Sequence, residues 1–164
     1  KLPRTIERRR ANLEYFAEQL RDVPGVTPLP TRTVADRGAY FRYLLRYSAS
    51  DLGGLPIDTY LQALRSEGVC EVTAGSLAKP LHLTDFFAGN NDDLWAFAKP
   101  DSESVAPRKY RRGDFPNAES FSESTIQFPA FTEPSRAIID QYCAAMRKVA
   151  AGAGELLRTP DRKS

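Results

Sequence analysis

The sequence holds one histidine, His82, and two cysteines, Cys70 and Cys143. Each scarcity excludes a class of chemistry. Two cysteines without a CxxC or Cys/His spacing make neither a zinc site nor a disulfide framework, which leaves reduced, mostly buried thiols as the expectation. Neither GxGxxG nor a Walker-type GxxxxGK run occurs, so a nucleotide cradle has no sign here and Gly53, Gly54 and Gly89 read as turn residues. A lone histidine with scattered Asp92, Asp93 and Asp101 is not a ligand set, and no metal is expected.

Charge of one sign is also in short supply. Lys and Arg number 23 against 21 Asp and Glu, a net +2, which makes no field to draw nucleic acid. Two local excesses, Arg8, Arg9 and Arg10, then Arg108, Lys109, Arg111 and Arg112, read as a solvated helix face and a loop. Either could instead clamp a phosphate. No apolar run approaches a membrane span, and the opening KLPRTIERRR lacks the apolar centre of a secretory signal. A cytoplasmic protein with neither membrane nor nucleic acid as partner is expected.

What is present is the patterning of a folded domain. With 164 residues, 41% hydrophobic and 27% charged, the chain has the composition of a globular protein and the length of one domain. It opens without methionine and directly into helical periodicity, which fits a fragment or an excised domain.

Ile6, Leu13, Phe16, Ala17 and Leu20 recur at helical spacing over 3–20, with Pro3 in the first turn and the Pro24-Gly25 turn pair beyond the end. A short strand is expected over 26–29. Residues 40–47 alternate, with Phe41, Tyr43, Leu45 and Tyr47 on one face, the period of a half-buried strand. Pro56 opens a helix with Ile57, Tyr60, Leu61 and Leu64 on one face, Gly68 is placed to end it in a left-handed cap, and 69–72 returns as strand. A long loop with one helical turn at Trp95 follows over 88–113. A short helix from Phe115, capped by Asp114, presents Ala118, Phe121 and Ser122 on a shared face and leads into a strand over 126–128. The last helix spans 132–149, with Ile138, Ile139, Tyr142, Met146 and Val149 as its stripe.

The stretch GVCEVTAGSLAKPLHLTDFF carries the candidate chemistry. Pro80 stiffens the backbone so that Lys79 and His82 are presented together at the end of a strand, which suits orienting a polar substrate. The bland alternative is a His82 packed at a layer boundary and a solvated Lys79. A Ser76, His82, Asp85 hydrolase set is close in sequence, but no GxSxG elbow supports it.

Five pieces then align in order: RRRANLEYFAEQLRDVPGV, AYFRYLL, YLQALRSEGV, KPLHLTDFF and FPNAESFSESTIQFPAFTE. This order resembles the C-terminal domain of the DegT/StrS family of pyridoxal-phosphate (PLP) sugar aminotransferases, of fold-type I. The resemblance implies an α+β fold, a small antiparallel sheet of three to four strands covered by helices. It implies an interdomain helix over 1–22, a small domain over 23–155 and a tail over 156–164. The large PLP-binding domain is then absent from this chain, with the Schiff-base lysine expected there, because none of the six lysines here stands in that motif. PLP, held by that domain, is the implied cofactor, and the whole enzyme is expected to be a homodimer acting on amino-acid and keto-sugar substrates in amino-sugar or antibiotic biosynthesis. Lys79 and His82 are the implied substrate-binding residues, on the sugar side. Many members carry a tyrosine four or five residues before this histidine, where Ala78 and Leu77 stand here, so substrate contacts should differ. The rival is a non-catalytic assembly module docking through its first helix and the Trp95 loop.

Overall fold

The computed structural model describes residues 1–30, 41–75, 79–85, 87, 110–133 and 136–158. The chain forms two compact units, Lys1–Ala74 with Ser124–Ser164, and the inserted Gly75–Glu123.

The first unit begins with α1, Leu2–Gln19, which has a proline in its first turn, where a missing N–H costs nothing. Leu13 and Phe16 are its buried residues, and Leu20 and Val23 carry the apolar line past its end. Strand β1, Val26–Pro28, pairs antiparallel with β2, Tyr43–Tyr47, which pairs in turn with β4, Thr125–Phe128. Strand β3, Thr73–Ala74, closes the other edge against β4, so the order is β1-β2-β4-β3 and every pairing is antiparallel. Helix α2, Ile57–Ser66, and helix α4, Arg136–Ala151, pack on each other, and α4 also packs on α1. A short α5, Ala153–Leu156, follows α4. The α+β fold with a four-stranded antiparallel sheet is therefore present, and with α3, Pro116–Glu123, five α-helices lie among the described residues.

Tyr43 lies opposite Phe128 and Leu45 opposite Ile126, so these four side chains share the sheet face that meets the helices. Phe16 stands over that face with its ring 5.9 Å from Tyr43, 5.3 Å from Phe128 and 5.1 Å from Phe131. Phe131 is held at φ 43°, an uncommon backbone angle for a bulky residue, and its carbonyl accepts from Asn12 Nδ2 at 2.8 Å.

Four sequence expectations are corrected. Strand 69–72 does not form, because the Val72 carbonyl accepts from the Arg65 guanidinium at 3.1 Å and pairing begins only at Thr73 opposite Gln127. Phe41 is 77% exposed: the alternation runs past the ladder, whose last rung is Tyr43 with Phe128, since Pro129 has no N–H to offer. The α4 stripe is Ile139, Cys143, Met146 and Val149, while Ile138 faces solvent. Cys143 is buried, which pushes its thiol up to about 11, but Cys70 is exposed. The short helix at Trp95 and the residues Pro134, Leu77 and Ala78 lie outside the described residues.

The stop of α2 was readable. Gly68 sits at φ 92°, its N–H donates to Arg65 O at 3.0 Å and Val69 N–H to Leu64 O at 2.9 Å, the two bonds of a Schellman cap. Gly25 also has positive φ, 79°, but a Cβ there would lie 2.5 Å from Leu52 Cδ1, and Leu52 is buried. Gly68→Ala is therefore expected to cost about 1–2 kcal/mol, the left-handed penalty alone, and Gly25→Ala about 2–5 kcal/mol, because overpacking is added. Urea denaturation of the two variants reads the gap. Equal losses would mean that Leu52 yields at no cost.

Candidate functional site

The second unit holds the histidine. Pro80 precedes a single 3₁₀ turn, Leu81–Leu83, closed by Leu83 N–H to Pro80 O at 2.8 Å and by Thr84 Oγ1 to Leu81 O at 2.7 Å. Residues of such a turn point about 120° apart. Leu81 is exposed and His82 takes the inward direction, keeping 7% exposure.

Its partner comes from α3, Pro116–Glu123, whose one buried residue is Glu119. His82 Nε2 lies 2.8 Å from Glu119 Oε1, and the same oxygen accepts from Gly113 N–H at 2.8 Å. The Phe115 ring covers the imidazole at 4.9 Å, and Tyr110 packs on Phe115 at 5.7 Å. Tyr110 N–H donates to Phe87 O at 3.3 Å, and their rings stand 6.4 Å apart. Glu119 thus joins the turn of His82 to the turn that opens α3.

The hydrogen bond from His82 holds the Glu119 carboxyl below the usual carboxylate range, against the desolvation that pushes it up, and the Gly113 and Phe115 backbone N–H groups add to the lowering. A carboxylate in the first turn also meets the positive end of the helix dipole. An ionised carboxylate only accepts, so Nε2 carries the proton of this bond.

Of the residues singled out in the sequence, Lys79 is exposed and His82 buried, and among the described residues no hydrogen bond joins them. Asp85 is exposed, and Ser76 lies outside the described residues. Arg8 bonds Glu133, Arg9 bonds Thr132, and Arg112 pairs with Glu123 at 2.6 Å, so these cations have partners within the chain. Among the described residues no group of three His, Cys, Asp or Glu is placed to hold a metal, and no helix is long and apolar enough to cross a membrane. Asp114 Oδ2 accepts from Arg111 N–H at 2.9 Å, closing the turn before α3.

Glu119 escaped the sequence reading. Of Ala118, Phe121 and Ser122, expected on a shared face of this helix, Ala118 and Phe121 are exposed and Ser122 is half-buried. A charged residue is assigned outward by periodicity, and its partner lies 37 residues away. The one available signal was its place in a first turn, where carboxylates are favoured.

A groove between α1 and β1, of about 520 Å³, is lined by Glu14, Glu18, Arg21, Val26, Thr27 and Pro28 among others. Arg21 is bound to Glu18 at 2.6 Å, so the groove offers no free cation to a phosphate among these residues.

No family model matches the sequence, and no curated protein sequence matches it. Solved structures do. The aminotransferase TlmJ of Streptoalloteichus hindustanus superposes with a TM-score of 0.60 at 22% identity, over 91% of this chain and 32% of its own. Spr1654 of Streptococcus pneumoniae, assigned as a sugar aminotransferase, superposes in its PMP-form with a TM-score of 0.63 at 16% identity, over 94% of this chain and 33% of its own. Its PLP-form gives a TM-score of 0.60 at 16% identity, over 90% of this chain and 32% of its own. This chain has the fold of one third of those proteins. At these identities the likeness is one of fold, and the chain spans about one third of the length of the structures it matches.

A PLP site needs a desolvated lysine to form the imine. The described lysines, Lys1, Lys79 and Lys148, are exposed, and Lys148 is paired with Glu67 at 2.6 Å. The described residues do not fit PLP by themselves.

Proposed function

We propose that this chain is the small domain of a PLP-dependent aminotransferase of the DegT/StrS family. The whole enzyme moves an amino group from an amino acid such as glutamate or glutamine to a keto-sugar or keto-cyclitol, in amino-sugar or antibiotic biosynthesis. On this reading 1–22 is the interdomain helix, 23–155 the small domain and 156–164 a tail. A separate large domain supplies the Schiff-base lysine and holds PLP, and the enzyme works as a cytoplasmic homodimer. Lys79 and His82 stand on the acceptor side.

The observation that carries the reading is the match of fold over more than nine-tenths of this chain to part of TlmJ and Spr1654. The ordered sequence pieces support it independently, since FPNAESFSESTIQFPAFTE supplies both α3 and β4 in the expected order. The exposure of the described lysines, Lys1, Lys79 and Lys148, agrees with a division of labour in which this domain contributes shape and hydrogen bonds.

The assembly-module reading finds less support. Of its two docking elements, the Trp95 loop lies outside the described residues, and in α1 Leu13 and Phe16 are already buried in the core of their own unit.

Mixing this chain with PLP and reducing with borohydride tests the division of labour. No stoichiometric lysine adduct is expected. A single lysine labelled to one equivalent would place the catalytic group in this chain and overturn the proposal.

A further inference from the structure

His82 is the only histidine in the sequence, and among the described residues its one ring hydrogen bond is at Nε2. Glu119 Oε1 is 2.8 Å from Nε2, and that oxygen is fixed by Gly113 N–H at 2.8 Å. Phe115 covers the ring, and Nδ1 has no hydrogen bond among the described residues. A neutral imidazole has one donor and one acceptor nitrogen, and a carboxylate at Nε2 decides which is which. The proton stays on Nε2. In that neutral ring Nδ1 is left with its lone pair.

From this geometry we infer that Glu119 is a positioning residue, which locks His82 in the Nε2–H tautomer and so presents Nδ1 as a hydrogen-bond acceptor to a hydroxyl group of the acceptor sugar. The identity of the ligand rests on the aminotransferase reading; the tautomer does not. Among the described residues the other charges of this unit are engaged elsewhere or face solvent. Arg112 pairs with Glu123, the Asp114 carboxylate accepts from Arg111 N–H, and Lys79 and Asp85 are exposed. Among the described residues Glu119 is the charged group that bonds the ring. A hydroxyl donor is preferred over an anion, because a bare ring nitrogen repels negative charge and accepts a proton bond.

A single histidine makes the test direct. In the nitrogen-15-labelled chain at mildly alkaline pH, a two-bond proton–nitrogen correlation spectrum shows one pair of imidazole nitrogens. The expected result is a protonated Nε2 and a bare Nδ1. In Glu119→Gln the preference should fall about tenfold, because a neutral hydrogen bond replaces a charge-assisted one. A wild-type ring protonated on Nδ1, or a Glu119→Gln spectrum with unchanged preference, overturns the inference. Should Glu119→Gln fail to fold, the wild-type spectrum alone decides.

The ligand half is read in the full-length enzyme. There Glu119→Gln should raise the KM for the keto-sugar about tenfold, the loss of one well-set hydrogen bond, with a smaller change in kcat. An unchanged acceptor KM removes the sugar contact. A wild-type enzyme without amino transfer would instead sink the aminotransferase reading and leave the tautomer result standing.

Discussion

Phe16→Ala lowers the unfolding free energy by about 3–5 kcal/mol, the usual cost of emptying a buried aromatic site. The side chain is fully buried and its ring is ringed by Tyr43, Phe128, Phe131 and their neighbours, with centroids 5.1–5.9 Å away. Those partners come from β2, β4 and the turn after β4, each tied down by ladder bonds or by Asn12, so the cavity cannot collapse. Because α1 is where this domain is proposed to join the cofactor domain, the loss also loosens that junction. Denaturant unfolding of the chain measures it. A loss below that of an ordinary surface change would mean that α1 is not part of the core.

Glu119 makes a contribution to stability that depends on pH on the acid side. Its carboxyl in the folded chain is lowered from an ordinary value of 4.5, chiefly by the His82 hydrogen bond. The unfolded chain therefore takes up this proton first, so the contribution is complete above that ordinary value and is lost as pH falls through the folded one. Glu119→Gln should be less stable than the parent at neutral pH, and the gap should close as pH drops well below 4.5. Denaturation midpoints at neutral and acid pH check this. A gap that stays constant with pH would show that the side chain acts by shape alone.

How much of this was legible in the sequence depends on the kind of signal. Helices α1 and α2 were readable because their apolar residues recur on one face and their ends carry Pro3, Pro24-Gly25 and Gly68, residues with a fixed backbone meaning. The alternation of β2 was readable, but its start was not, since the ladder stops where Pro129 follows on the partner strand. The two-residue β3 was misplaced, because Val69 and Val72 look like strand residues and are buried without pairing. Half of the candidate site was legible. His82 drew attention as the lone imidazole beside Pro80, and Glu119 was hidden, because a buried carboxylate is defined by a partner distant in sequence. Lys79 was grouped with His82 by adjacency, yet a turn sends neighbours in different directions.

Amino transfer itself is the most direct test of the central claim. The full-length protein, loaded with PLP and given glutamate or glutamine and a keto-sugar, should produce the amino sugar, and the same protein lacking residues 1–155 should bind cofactor without turning over the sugar. Transfer at an unchanged rate after that deletion, or no transfer by the loaded full-length protein, would contradict the account.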